Sequence, residues 1–250
     1  MSELFDTLHN HFEVIPADTT SLMETAYRLR YQVYCQENPY EDADSFPDQM
    51  ETDEYDIHSS HSLVRCRASG QHAGLVRLVL PDPVNPNKPL PMEKFCDEDT
   101  GIDLSAIPRE SLAEISRFCI SKESRRVCSE KLASVSDCAE DLQVESYKRL
   151  LPHLTLGLFA GIVRMSAQHN ITHWLAVMEP TLLRFLTRFG IHFHKIGPLI
   201  DYHGKRQPAI GLIDDVLAGI HAQRKDVWDA ITNYGAVWPL ADDIRHAVAN

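Results

Sequence analysis

From Tyr31 to Val64 the chain has no lysine and no arginine, yet nine carboxylates lie in that stretch: Glu37, Glu41, Asp42, Asp44, Asp48, Glu51, Asp53, Glu54 and Asp56. Charges of one sign cannot satisfy one another, so they are either solvated or matched by cations from elsewhere in the chain. Pro39 and Pro47 argue against regular structure there, and residues 37–60 are expected to form a long acidic loop or lid. Basic residues are scarce overall, 24 Lys plus Arg against 36 Asp plus Glu, for a formal net charge of −12. That balance excludes the basic footprint of a nucleic-acid binder. No Cys-x-x-Cys pair occurs among Cys35, Cys66, Cys96, Cys119, Cys128 and Cys138, which favours reduced thiols over a zinc site or a disulfide framework. His192-x-His194 and His58-x-x-His61 lack further ligands nearby, so no metal is expected. No apolar run approaches membrane-spanning length. The first residues, with Glu3 and Asp6, lack the basic-then-apolar order of a signal peptide. A cytoplasmic protein without stable membrane insertion is the expectation.

At 250 residues with 44% hydrophobic and 24% charged residues, the chain can bury a substantial core. Phe12 to Ile15 reads as a first strand. Ser21 with Glu24 forms a capping box, and Leu22, Ala26, Leu29 and Val33 make the core stripe of the helix that follows. Arg30, Tyr34 and Glu37 lie on a second face at helical spacing, close enough to touch. His61–Ala68 and Ala73–Leu80 are strands joined by the turn Ser69-Gly70-Gln71-His72, with Arg77 interrupting the second. Five prolines between Pro81 and Pro91 rule out a strand interior there. Leu154, Leu158, Ile162 and Met165 mark a helix, and Ile171–Val177 a buried strand. Thr181–Phe189 is a helix stopped by Gly190. Strands at Ile191–Ile196 and Ala209–Ile213 precede a closing helix, Asp214–Thr232.

Leu112 to Ile120 stands apart. Its alternate positions put Glu114 and Ser116 with Leu112, Phe118 and Ile120, and put Arg117 on the other face with Ala113, Ile115 and Cys119. A charge inside a sheet needs a partner or a task.

A run of antiparallel strands followed by crossover helices is a mixed α+β sandwich in one domain, 1–250. It comprises the acidic lid (37–60), an insert (121–150) and a C-terminal helical extension (214–250). This order resembles a GNAT acyltransferase, with a mixed, mostly antiparallel central sheet and helices on both faces. Arg30-x-x-Val33-Tyr34, Asp53-Glu54-Tyr55-Asp56, Gly74-x-x-Arg77-Leu78, Pro91-Met92-x-x-Phe95 and Glu114-x-Ser116-Arg117-Phe118 resemble, in order, the blocks of the acyl-homoserine-lactone synthases. In the second half the blocks at Pro152–Leu158, Thr172–Pro180 and Gly197–Pro208 resemble the PEP-CTERM/exosortase-associated acyltransferase family, which is related to the N-acyl amino acid synthases. The Arg/Gln-x-x-Gly-x-Gly/Ala pyrophosphate loop of acetyl-CoA-dependent GNAT enzymes is not present after Ile120, and Val127 to Gln143 has no counterpart in the lactone synthases.

The resemblance implies an N-acyltransferase that holds no bound cofactor. It would move a long-chain acyl group from an acyl carrier protein or acyl-CoA to the amine of an amino acid or similar small acceptor. Its alternatives are a lactone synthase using S-adenosylmethionine, and a non-catalytic acyl- or lipid-binding regulator. In GNAT folds a splayed strand pair, here Glu114–Ile120 with Thr172–Val177, offers backbone N–H groups to the thioester carbonyl. Glu114 is then the general base, directly or through a water, or a carboxylate paired with an arginine. Ser116 orients Glu114 or the acyl carbonyl, or bonds to backbone. Arg30, Arg77 and Arg117 with Asp53 and Asp56 form an ion-pair network lining the acceptor site, beside Tyr34 and Phe118. Phe95 lines the acyl channel or packs in the core. Lys122, Arg125 and Arg126 are a docking patch for an acidic carrier protein, or solvated charge.

Overall fold

The computed structural model describes residues 2–95, 104–135, 142–202 and 204–241; of these, the side chains of Phe95, Val135 and residues 142–149 are not described. The fold is α+β and GNAT-like. Helix α1 (Glu3–His11) is followed by β1 (Phe12–Pro16), α2 (Thr20–Tyr31), β2 (Ser59–Cys66), β3 (His72–Val79) and the short α3 (Pro91–Phe95). Then come β4 (Leu112–Ile120), α4 (Lys122–Val135), α5 (Leu142–Gln168), β5 (His173–Met178) and α6 (Pro180–Leu186). The chain closes with β6 (His194–Lys195), β7 (Ile200–Asp201), β8 (Lys205–Leu212), α7 (Ile213–Gln223) and α8 (Lys225–Thr232). The sheet is mostly antiparallel in the order β1-β2-β3-β4-β5-β8-β6, with β7 on β8. Strands β4 and β5 are parallel, in the register Leu112↔His173 to Ile115↔Ala176.

Two compact units share this chain: residues 1–54, 60–77 and 117–162, and residues 55–59, 78–116 and 163–250. In the first, Ala26 and Leu29 of α2 and Val33 just beyond it bury against Leu63, Leu75 and Cys119, with Leu22 and Tyr34 at the margin. The four-three-four spacing of Leu22, Ala26, Leu29 and Val33 therefore does form the buried stripe. Helix α5 comes close to β2 through Gly161, where an added Cβ would fall 2.7 Å from the Ser62 Cβ. In the second unit, Tyr55, Val79, Leu90, Met92, Leu112 and Leu175 make a core cluster.

Several local expectations are corrected. The cap of α2 is Thr19, in extended conformation, whose hydroxyl accepts from the Leu22 amide at 3.3 Å; the helix thus starts earlier than a Ser21 cap implies. Helix α1, capped by Ser2, precedes the first strand and has no counterpart among the expected elements. The closing helix is two helices, broken at Arg224, whose guanidinium holds Asp226 and the Arg188 carbonyl. The expectation of reduced thiols fails for Cys66 and Cys128, which form a disulfide between β2 and α4; Cys35 and Cys119 are free. Cysteines 62 residues apart in sequence give no local spacing signal. Cys96 and Cys138 lie outside the described residues. Leu150–Gln168 is, among the described residues, one helical stretch long and apolar enough to span a membrane, with mean hydropathy 1.4. The expectation that no run approaches that length is revised accordingly; 72% of the stretch is buried inside the protein. Among the described residues no group of His, Cys, Asp or Glu could hold a metal ion.

Candidate active site

The first unit concentrates charge where the sequence is otherwise apolar. Arg30 sits on α2 and is fully buried, and Arg77 on β3 is 1% exposed. Both are guanidiniums that cannot shed their charge, so their burial requires carboxylates. Glu51 supplies the main one. Its backbone N–H donates to the Tyr27 carbonyl, which pins the acidic segment to α2. Its carboxylate, 1% exposed, accepts from Arg30 Nε at 2.5 Å and from Arg117 Nε at 3.1 Å and Nη2 at 2.9 Å. Asp53 accepts from Arg77 Nη1 at 2.6 Å and Arg117 Nη2 at 3.2 Å, and lies 3.9 Å from Arg30 Nη2. Glu41 stands 3.8 Å from Arg117.

Electrostatics follow from this packing. Burial pushes the Glu51 carboxyl up, but the hydrogen bonds and charges of Arg30 and Arg117 outweigh it and hold the group at about 2. Burial likewise opposes the charge on Arg117, and Glu51, Tyr34 and Asp53 overcome it, leaving its pKa well above normal. Tyr34 lies beneath Arg117, with the guanidinium carbon 5.2 Å from the ring centroid; burial raises its phenol. Burial also raises the Cys119 thiol, to about 12. Glu51 and Arg117 are thus each held in the charged form by the other.

Arg117 adopts φ 48° in the middle of β4. A left-handed non-glycine residue interrupts the regular pleat, so the period-two alternation does not run unbroken along this strand. Beyond it Phe118 packs on Phe159 of α5, at 5.6 Å between ring centroids, and Cys119 joins the α2 core. The parallel register with β5 spans only Leu112 to Ile115, although β4 continues to Ile120 and β5 to Met178.

Glu114 lies in the second unit. It is 4% exposed, and its Oε2 accepts the Met92 backbone N–H at 2.7 Å. The segment leading into α3, whose second residue is Met92, is set by Arg109, which donates to both Glu93 oxygens at 2.8 Å and to the Pro86 and Lys88 carbonyls. Glu93 also accepts the Leu90 N–H at 2.8 Å. Arg109 and Glu93 thus hold the segment that meets Glu114. Ser116 is half-buried two residues on, and Asp56 opens the turn Asp56–His58, both in this unit. Phe95 falls on a side chain that is not described.

The structure therefore brings together Arg30, Tyr34, Asp53, Arg77 and Arg117, and adds Glu51, which sequence reasoning left among the loop carboxylates. Glu37 departs from its expected place beside Arg30 and Tyr34. Residues Gln32–Glu37 form a π-helical turn; the wider turn shifts the phase of α2, so the spacing rule for a 3.6-residue helix no longer holds. Glu37 instead caps α4. Of the basic patch, Arg126 is held by Glu123 and Glu130 on its own helix, and Lys122 Nζ donates to Asn38 Oδ1 and the Glu37 carbonyl. Arg125 is half-buried.

Residues 29–134 match the Acetyltransferase (GNAT) domain family, and the fold around them is GNAT-like. The chain is similar to an acyl-homoserine-lactone synthase from Vibrio anguillarum, 25% identical over 197 residues that cover 76% of this chain and 83% of the relative. Among solved structures, the CoA-dependent acyl-homoserine lactone synthase BjaI shares 18% identity at TM-score 0.54, over 96% of this chain and 99% of its own. FeeM, an N-acyl amino acid synthase from uncultured soil microbes, shares 14% at TM-score 0.51, over 85% and 96%. These structural likenesses are of fold.

Proposed function

We propose that the chain is an N-acyltransferase that moves a long-chain acyl group from an acyl-carrier-protein or acyl-CoA thioester to the amine of an amino acid or similar small acceptor. The observation that carries this is the buried Arg30–Glu51–Arg117–Asp53–Arg77 network. Two buried guanidiniums and a third only 13% exposed, held by two carboxylates, are costly to keep without a task, and here they stand in a fold like that of acyl-transferring synthases. In the proposed reaction the neutral amine attacks the thioester carbonyl, the C–N bond forms, the C–S bond breaks and the thiol departs. Glu114 takes the amine proton, and Ser116 orients it. Arg30, Tyr34, Asp53, Asp56, Arg77, Arg117 and Phe118 shape the acceptor site; Phe95 lines the acyl path. Lys122, Arg125 and Arg126 remain the proposed carrier-protein contact, with Arg126 weakened in that role by its own acidic partners. The second-half blocks around His153, His173 and Pro198 support placement with the exosortase-associated acyltransferases.

A second reading is an acyl-homoserine-lactone synthase using S-adenosylmethionine, favoured by the Vibrio anguillarum relative. The test is mass spectrometry of lipid extracts from a bacterium expressing the protein, beside a Glu114→Ala strain. New long-chain N-acyl amino acids, lost in the variant, support the first reading, and the head group names the acceptor. Acyl-homoserine lactones support the second. If purified protein with acyl donors and a panel of amines makes no amide, the enzyme reading is abandoned for the acyl-binding regulator.

A further inference from the structure

Helix α4 begins directly after β4, and its first turn is already occupied by an anion from within the chain. Glu37 Oε2 accepts the Lys122 N–H at 2.7 Å, and Oε1 accepts the Glu123 N–H at 3.2 Å. The same Oε1 accepts the Ser121 hydroxyl at 2.8 Å and Gln32 Nε2 at 3.0 Å. Ser121, fully buried, also accepts the Ser124 N–H at 3.0 Å, so a third amide of this turn is in use. The nearby ammonium of Lys122 is turned to Asn38 and the Glu37 carbonyl. A helix N-terminus with free N–H groups and a cation beside it would attract phosphate. Here every one of those donors is spent on Glu37 or its immediate surroundings. The π turn at Gln32–Glu37 is what delivers the carboxylate to this place.

We propose that Glu37 is a donor-selecting residue: its carboxylate plugs the start of α4 and so excludes the diphosphate of a nucleotide thioester such as acyl-CoA, favouring an acyl donor carried on a protein. The plug acts by occupancy and by repulsion of a second anion. It rests on the acyltransferase reading only for its consequence in turnover; the exclusion itself is a binding property.

The experiment is titration calorimetry of inorganic pyrophosphate, and separately of coenzyme A, into wild type, Glu37→Ala and Glu37→Gln. Glu37→Ala frees the donors and removes the repelling charge, and is expected to bind pyrophosphate at least about tenfold more tightly than the wild type. Glu37→Gln keeps an acceptor in place without the charge, and should fall between the two. Equal pyrophosphate affinity in wild type and Glu37→Ala overturns the proposal. If circular dichroism shows Glu37→Ala unfolded, the same comparison is made with Glu37→Gln, and unchanged affinity there overturns it equally. The kinetic arm compares kcat/KM for acyl-CoA and acyl-carrier-protein, and the ratio should move toward acyl-CoA in Glu37→Ala. A wild type inactive on every donor removes the acyltransferase reading, while the pyrophosphate comparison still decides the role of Glu37.

Discussion

Arg30 Nε and Glu51 Oε2 meet at 2.5 Å with side chains 0% and 1% exposed. Such a pair gains little over a well-packed apolar one, but removing either partner strands a charge in the interior. Glu51→Ala is therefore expected to destabilise the fold by about 3–5 kcal/mol, because both Arg30 and Arg117 lose their main carboxylate. Urea unfolding of wild type and variant measures this directly. A loss under about 1 kcal/mol, the size of an exposed pair, would contradict the burial described.

The same residue sets an acid limit. Glu51 sits at about 2 in the fold against an ordinary 4.5, so the unfolded state binds the extra proton between those values. Its contribution is fully present above about pH 4.5 and is lost as pH falls toward 2, amounting to about 3 kcal/mol. Urea midpoints measured from pH 6 down to pH 3 should fall steadily in the wild type. The fall should be shallower in Glu51→Gln, which starts less stable.

Glu114→Gln keeps an oxygen to accept the Met92 N–H and removes the basic lone pair. If Glu114 takes the amine proton, kcat should drop about 10²- to 10⁴-fold with folding intact by near-UV circular dichroism. The residual rate should climb with pH as the free amine deprotonates unaided. An unaltered kcat assigns Glu114 to holding the Met92 loop alone.

The Cys66–Cys128 bridge closes a loop of 62 residues in sequence, and its removal by Cys66→Ser/Cys128→Ser is expected to cost about 2–4 kcal/mol. Thiol titration of the denatured, unreduced protein should find at least two fewer thiols than after reduction. A full thiol count without reductant would overturn the bridge.

Arg117→Lys is not a conservative change here. Arg117 reaches Glu51 through two nitrogens and Asp53 through one of them, a fork an ammonium cannot reproduce. Acceptor KM should rise more than donor KM, read from initial rates with each substrate varied in turn.

Much of this site was legible because the sequence breaks its own pattern. Arg30, Arg77 and Arg117 interrupt apolar runs and so call for counter-charges, and the resemblance to the lactone synthases implied the network that joins them with Asp53 and Asp56. The α2 stripe and the stop at Gly190, which adopts φ 75°, were legible because they obey local periodicity and local backbone sterics. Glu51 was not. It looks like any of nine loop carboxylates, and its arginine partners lie 21 and 66 residues away.

What the sequence determined by itself is what short-range rules govern: apolar period, turn chemistry, and the need of a buried guanidinium for some carboxylate. The tertiary structure alone decided which carboxylate that is, that Glu37 leaves the α2 face for the start of α4, and that Cys66 meets Cys128. Each of those depends on where distant segments come to lie, and on a π turn whose changed phase no spacing rule anticipates. Hydrogen bonding and charge pairing act over a few ångströms in space, and distance along the chain carries no record of them.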